Sequence, residues 1–342
     1  MTMKELAKQL NLSQSTISRV LNNKGSKTAS PEVAKRIRDA ARKYNFYPDR
    51  AAAQLRRGKS NTVGVLLPSP KNFYYAEIIS NIHHTLMSNG YSPIFSFWEN
   101  DLEKEKACNT ILSWNIDAII TVEPQLIPDT FKKAVVSFFT EDPRFDCVMP
   151  DHFSAVRQIL NYLKECGHSR ICWCGSAEAS RKKILDKLAP EMELDLTSCS
   201  FTEGISCVDF GAGRQIADTI VNSIEKPYPT ALIAHNDNVA MGVIRRLHEH
   251  GFHVPDDFSV IGQDNLAHAQ NMVPSITTVQ YFVREPIGQF LVDMVLDRIK
   301  NPNTQHIVRL IDAALIVRES SGRVREKNKK AILSDRYLNG RK

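Results

Sequence analysis

From Thr62 onward, short β-branched apolar runs alternate with amphipathic stretches of helical period, and this alternation restricts the fold more than any other feature of the chain. The apolar runs fall at 63–67, 93–97, 118–121, 170–174, 231–234 and 259–261. Between them, segments such as 76–89, 103–114, 153–166 and 239–250 place apolar residues on one helical face. Strands alternating with helices predict parallel sheets covered on both faces. The length of this body suits two such sheets rather than one, an α/β pair of Rossmann-like lobes. Ligands of open α/β sheets sit at the carboxyl ends of the strands, and in a two-lobed body those ends face each other across a cleft.

The first sixty residues follow a different rule. Met3, Leu6, Ala7 and Leu10 recur at helical spacing until Asn11 interrupts them. Ser13 is placed to cap a second helix whose inner face is Thr16, Ile17, Val20 and Leu21, and Asn22, Asn23 and Gly25 end it. Ser30 and Pro31 open a third helix, with Val33, Ala34, Ile37, Ala40 and Ala41 inward. Two short helices joined by a turn of three or four residues have the spacing of an all-α helix-turn-helix headpiece. A plain helical hairpin with a polar surface is the alternative at this point. Charge favours the former: residues 1–60 hold 14 Lys and Arg against 4 Asp and Glu, whereas the remainder holds 30 against 34. A basic module on a nearly neutral body points to a polyanion gripped by one end.

In such a headpiece the N-terminal exposed side chains of the second helix meet base edges in the major groove. Here they are Gln14, Ser15 and Arg19, with Ser13 at the cap. Gln suits adenine and Arg suits guanine. Thr16, Asn22 and Tyr44 are placed for phosphates, which fix register without reading sequence.

The segments MKELAKQLNLSQSTISRVLNNKG and YNFYPDRAAAQLRRGKSNTVGVLLP resemble the LacI/GalR family of bacterial repressors. The likeness continues, more diffusely, through NFYYAEIISNIHHTL, KECGHSRICWCG, AHNDNVAMGVIRRLHEHGFHVPDDFSVIGQDN and PSITTVQYF. It implies a helix-turn-helix domain (1–47), a hinge-helix linker (48–60) and a periplasmic-binding-protein-like effector and dimerisation domain (61–321); the tail beyond it (322–342), basic and with few apolar residues, reads from its composition as disordered. The resemblance further implies that Leu55 wedges into a base step of the minor groove, with Arg56 along the phosphates. The sequence around Leu55 fits: a helix as short as 50–55 is marginal alone in water, and its polar neighbours offer Leu55 no apolar face. The chain is expected to pass between lobes near Asp151, near 265–274 and near 310–317.

By the same resemblance Asp151, Asn236 and Asp264 hold polar groups of a ligand, Arg181 is the pocket arginine, and Tyr74 is an aromatic wall, chosen over its neighbour Tyr75. Trp98 is a further candidate for the wall. Carboxylate, amide and guanidinium groups bind hydroxyl-rich ligands in pairs, so a carbohydrate or related polar metabolite is the expected effector. Each has a plainer reading: Asp264 and Asn265 as an Asx turn, Asn236 and Asp237 as a helix cap, Asp151 as a crossing residue. The sequence departs from the family at Ile184, where glycine is usual, and at Gln263, where an aromatic or aliphatic residue is usual. Phe210 is an uncertain substitute for the family's pocket aromatic.

Other classes fit less well. Seven cysteines, an odd number, spread from Cys108 to Cys207 without zinc spacing, and Cys172 and Cys174 read as buried thiols on one side of a strand. There is no phosphate loop, metal constellation or nucleophile elbow, so no enzyme, metal or cofactor is expected. No apolar run approaches membrane-spanning length and the N-terminus is no signal peptide, so a cytoplasmic protein is expected. A stand-alone binding protein of the periplasmic type would suit the body but not the headpiece. The partners expected are therefore double-stranded, pseudo-palindromic operator DNA, a small effector and a second copy of the chain in a homodimer.

Overall fold

A computed structural model describes residues 1–21, 29–46, 60–199, 209–223 and 228–325. The hinge segment with Leu55 and Arg56, Asn22, Cys207 and most of the tail lie outside the described residues. The chain divides into two compact units, Met1–Asn61 and the remainder from Thr62.

The first unit holds α1 (Met3–Leu10), α2 (Gln14–Leu21) and α3 (Pro31–Lys43). Thr2 and Glu5 form a reciprocal capping box at the start of α1, satisfying two donors that helix geometry leaves open. Asn11 ends α1 in the left-handed region (φ 51°), which asparagine tolerates better than most residues. Ser30 caps α3 through Val33 N at 3.3 Å, and Pro31 supplies its preset φ at the first position. Leu6, Ala7, Ile17, Val20, Ile37 and Ala41 make the core, joined by Phe46, which follows the third helix.

The second unit has two parallel sheets. The first is built from β1 (Thr62–Pro68), β2 (Ser92–Trp98), β3 (Ala118–Thr121), β4 (Ala134–Phe138), β5 (Asp146–Pro150) and the late strand β11 (Val308–Ile311), in the order β11-β5-β4-β3-β1-β2. Flanking it are α4 (Phe73–Ser88), α5 (Asp101–Leu112) and α10 (Ile287–Lys300). The second sheet is β6 (Arg170–Cys174), β7 (Asp195–Cys199), β8 (Ala231–Ala234) and β9 (Ser259–Ile261), in the order β7-β6-β8-β9. Its helices are α6 (His152–Glu165), α7 (Ser180–Glu191), α8 (Phe210–Ser223) and α9 (Asp237–Glu249). Strand alternation sorts the side chains of β6: Trp173 faces the core shared with α6 and α7, while Cys172 and Cys174 join Cys199 in the core under α8 and α9. Helices α8 and α9 cross at Gly213 and Gly242. A Cβ at Gly213 would stand 2.2 Å from the Val239 carbonyl oxygen, so only glycine permits this approach.

Three connections join the lobes. The first runs from β5 into α6 through Asp151. The other two are β10 (Thr278–Tyr281) and β12 (Ala313–Ile316), which pair antiparallel with Thr278 opposite Ile316. The middle crossing thus lies later than expected: Leu266, Ala269 and Ile276 still pack in the second lobe's core, and the chain leaves that lobe along β10. The crossings are tied to one another. Asp151 N donates to Ile311 O at 2.9 Å, and the Gln158 amide brackets β12 through Ala313 O (2.8 Å) and Leu315 N (3.1 Å).

A buried ion pair anchors the third crossing. Arg298 of α10 grips Asp146 of β5 in a two-pronged contact at 2.7 Å and 2.7 Å, both side chains at most 6% exposed. Asp146 also accepts from Ile307 N at 3.0 Å, just ahead of β11. Among the described residues, no helix is long and apolar enough to cross a membrane.

Candidate functional site

In the headpiece, the Ser13 hydroxyl accepts from Thr16 N at 3.1 Å and stands 2.8 Å from the hydroxyls of Ser15 and Thr16. The cap fixes the first turn of α2, and on that turn Gln14 and Ser15 are exposed, with Arg19 exposed further along the helix. The opposite face, Ile17 and Val20, is in the core. Burial therefore decides which side chains remain for a partner. Thr16 is half-buried at the rim. Tyr44 ends α3, its hydroxyl held by the Gln9 amide of α1, and Lys43 lies 5.5 Å from its ring centre. Gln9 was not anticipated from sequence, since nothing in a helical pattern indicates a contact across 35 residues.

The body's candidate site is assembled at the carboxyl ends of the second lobe's strands and the start of α4. Asn72 caps α4 by accepting from Tyr74 N at 3.0 Å, which sets Tyr74 at the cleft. Tyr74, Asp264 and Tyr281 line a cavity of about 270 Å³, together with Glu77, Asn81 and the segment 282–287. Tyr75 packs edge-on to Tyr74 at 5.7 Å. Trp98 is buried in the first lobe's core.

Arg181, on the first turn of α7, donates to Gln263 Oε1 (3.1 Å) and to His235 Nε2 (3.2 Å). Gln263 Oε1 also accepts from the Tyr281 hydroxyl at 2.8 Å, and Gln263 Nε2 donates to Ala234 O at 3.0 Å. The His152 ring meets the Tyr281 hydroxyl at 3.3 Å and its ring edge-on. Five separated segments thus converge on one network, and three of its members, His235, Gln263 and Tyr281, come from residues that follow or form strand ends. Burial in this cleft, reinforced by the Arg181 charge, pushes His152 and His235 down to about 3. Burial likewise pushes Asp264 up to about 8, opposed by Arg181, and Asp237 up to about 7. Tyr74 is raised well above its ordinary value by the same burial, with the Asp264 charge adding to it.

The remaining sequence candidates have local duties. Asn236 caps α9 by accepting from Val239 N at 2.9 Å, and Asp151 caps α6 by accepting from Ser154 N at 2.8 Å. Asp237 accepts from the Thr278 hydroxyl (2.6 Å) and from Leu266 N (2.8 Å), binding the 264–278 loop to the helix. In that loop Asp264 (φ 103°) and Asn265 (φ 49°) both take positive φ, a strain of roughly 1–3 kcal/mol each that persists because the surroundings enforce it. The loop's side-chain bonds run through Asn265, to Gln280 Oε1 and from Arg318 Nη2. Asp264 is thereby left facing the cavity. Gln263, a departure from the family in sequence, is the hub of the network. Histidines 152 and 235 were passed over as binding residues because each sits beside a more familiar ligand type, Asp151 and Asn236.

Comparison with known proteins gives one consistent picture. Residues 2–49 match the family model for bacterial regulatory proteins of the lacI family. Residues 60–184 match that for periplasmic binding proteins and the sugar binding domain of the LacI family, and residues 160–321 a periplasmic binding protein-like domain. The transcriptional repressor PurR of Aliivibrio fischeri (strain MJ11) is 26% identical over 336 residues, covering 93% of this chain and 98% of the relative. The NTD biosynthesis operon regulator NtdR of Bacillus subtilis (strain 168) is 29% identical over 341 residues, covering 94% and 99%. The repressor CytR of Escherichia coli (strain K12) is 27% identical over 335 residues, covering 94% and 96%. Among solved structures, the Lac repressor dimer bound to operator and the anti-inducer ONPF superposes with a TM-score of 0.77 at 21% identity, covering 94% of this chain and 99% of that one.

Proposed function

The chain belongs to the LacI family of bacterial regulatory proteins, and on that premise we propose that it represses transcription from a specific operator under the control of a small polar effector. The observation that carries this reading is a capped helix exposing Gln14, Ser15 and Arg19 on a basic module, in one chain with a two-lobed body whose cleft gathers polar side chains. Gln14 and Arg19 read base edges, Ser13, Ser15, Thr16 and Tyr44 fix the headpiece on phosphates and neighbouring bases, and Asn22, Leu55 and Arg56 complete the contact. Arg181, Asp264 and Tyr74 bind the effector, with Asn236 and Asp151 shaping its floor. The body binds without turnover and acts in the cytoplasm.

Two copies joined by a twofold axis read a pseudo-palindromic operator, since half-site symmetry mirrors protein symmetry. Effector binding shifts the balance between lobe arrangements, and the linkers transmit that shift to the headpieces as a coupling free energy. Capturing fragments of the source genome on the purified protein at moderate salt tests the proposal. The expected result is enrichment of a dyad-symmetric site, weakened or strengthened by a metabolite extract. Equal retention of genomic and random duplex refutes it.

A further inference from the structure

The hydrogen-bonding balance of the cleft is lopsided. Around Arg181 its acceptors are spent, the Asp264 carboxyl on the cavity lining aside: Gln263 Oε1 takes bonds from both Arg181 and Tyr281, and His235 Nε2 takes one from Arg181. Its donors are not. A guanidinium has five N–H groups in a planar fork, and the bonds to Gln263 and His235 occupy two of them. Because His235 Nε2 accepts, the ring proton of the neutral imidazole sits on Nδ1, which is buried without a partner in the chain. An unmet buried donor of this kind favours any ligand that brings an acceptor.

We propose that the effector is a small acid, a hydroxylated metabolite whose carboxylate or phosphate group docks on Arg181 beside His235. The inference deepens the reading of this cleft as the effector site and rests on it. Arg181 carries a permanent charge, as does Arg284 on the lining of the adjoining cavity, and both partners to which Arg181 donates are neutral. Glu77 and Glu285 line the adjoining cavity, and the titratable groups facing Arg181 are His152, His235, Asp264, Tyr281 and Tyr74, with the buried Asp237 behind them. Each of these adapts to an anion by keeping or taking up a proton. A cationic ligand would instead meet Arg181, which cannot adapt. A carboxylic acid held neutral by burial, as at Asp264, donates to a ligand oxygen rather than repelling it.

The test uses the full chain and pairs of probes that differ only in the acidic group: glucose, glucuronate and glucose 6-phosphate, and ribose with ribose 5-phosphate, each at millimolar concentration. Thermal melting and calorimetry are the readouts. The expected result is that an acid raises the melting temperature and its neutral parent does not. A response confined to glucuronate identifies the group as carboxylate, and one confined to the phosphate esters identifies it as phosphate. Arg181→Gln abolishes the response, and Arg181→Lys, which keeps the charge, retains part of it and serves as the folded control. Binding takes up protons, so affinity for the acid weakens as pH rises from 6 to 8, by as much as about tenfold per unit for each proton linked. Calorimetry in buffers of different ionisation enthalpy shows that uptake directly. Neutral parents binding as tightly as acids, unchanged binding to Arg181→Gln, or no response to any acid overturns the inference. A neutral sugar that releases the protein from DNA removes the inference but leaves the regulator intact, whereas loss of all DNA selection removes the regulator.

Discussion

Replacing Arg298 with methionine is the sharpest test of how the third crossing is held. The substitution keeps much of the side-chain volume and removes the guanidinium that grips Asp146 at 2.7 Å on both oxygens. The Asp146 carboxylate is then left 4% exposed with Ile307 N as its remaining close donor and the His306 ring 3.7 Å away. Removing one partner of a buried pair costs about 3–5 kcal/mol, because a charge stays behind without compensation. The carbonyls of Thr304 and Gln305, to which Arg298 also donates, lose their donor as well. For a body of this size each kcal/mol lowers the melting point by roughly 2–4 °C, so a fall of about 6–20 °C is expected by calorimetry. The double variant Asp146→Leu/Arg298→Met, which removes both charges, is less destabilised than Arg298→Met alone. A single variant that melts within about 1 kcal/mol of wild type, the range of an exposed pair, would refute the claim that the pair is desolvated.

Four further outcomes follow from the same structure. Gly213→Ala drives a methyl to 2.2 Å from the Val239 carbonyl oxygen and forces α8 from α9, costing about 1–3 kcal/mol of stability in urea titrations. Asn236→Ala removes the α9 cap and costs about 1 kcal/mol; if effector affinity falls too, the residue serves both as cap and as ligand. Arg19→Ala weakens operator binding by about 1–3 kcal/mol and relaxes sequence preference at one base position, measured against operator variants. For His235→Gln, stability relative to wild type improves as pH falls below 6.5. The folded-state value of His235 is depressed to about 3, so acid protonates the unfolded chain first and wild type loses up to about 1.4 kcal/mol per unit in that window. Asp237 and Asp264, raised by burial, act in the opposite direction, which is why the comparison is made between variant and wild type at each pH.

The six apolar runs read as strands from the sequence all form strands, five of them buried almost throughout, as parallel strands covered on both faces are, and the sixth, β2, half-buried at the sheet edge. β4 and β7 lack so plain a pattern. The β7 segment, DLTSC, is an edge strand with polar and exposed positions, and β4 is a run of five residues directly behind a pair of lysines. β10 and β12 are crossings whose pairing partner lies far along the chain, so no local pattern marks them. The same holds for the cleft. Arg181, Tyr74 and Asp264 are candidates through their match to family positions, and the structure sets Tyr74 and Asp264 on one cavity and Arg181 in the adjoining network. The hub, Gln263, and the ring of His152, which meets Tyr281 across 129 residues, depend on topology that spacing alone does not encode.

The pairing of β10 with β12 limits how the two lobes can move. The strands run in opposite directions between the lobes, and their ladder prevents one from sliding lengthwise against the other. With Gln158 clamped to β12 and Asp151 bonded to Ile311, the first connection is fastened to the same ribbon. Relative translation of the lobes would have to tear this joint, whereas bending and torsion leave its ladder whole. Rearrangement of the lobes is therefore rotation, with the ribbon as its axle.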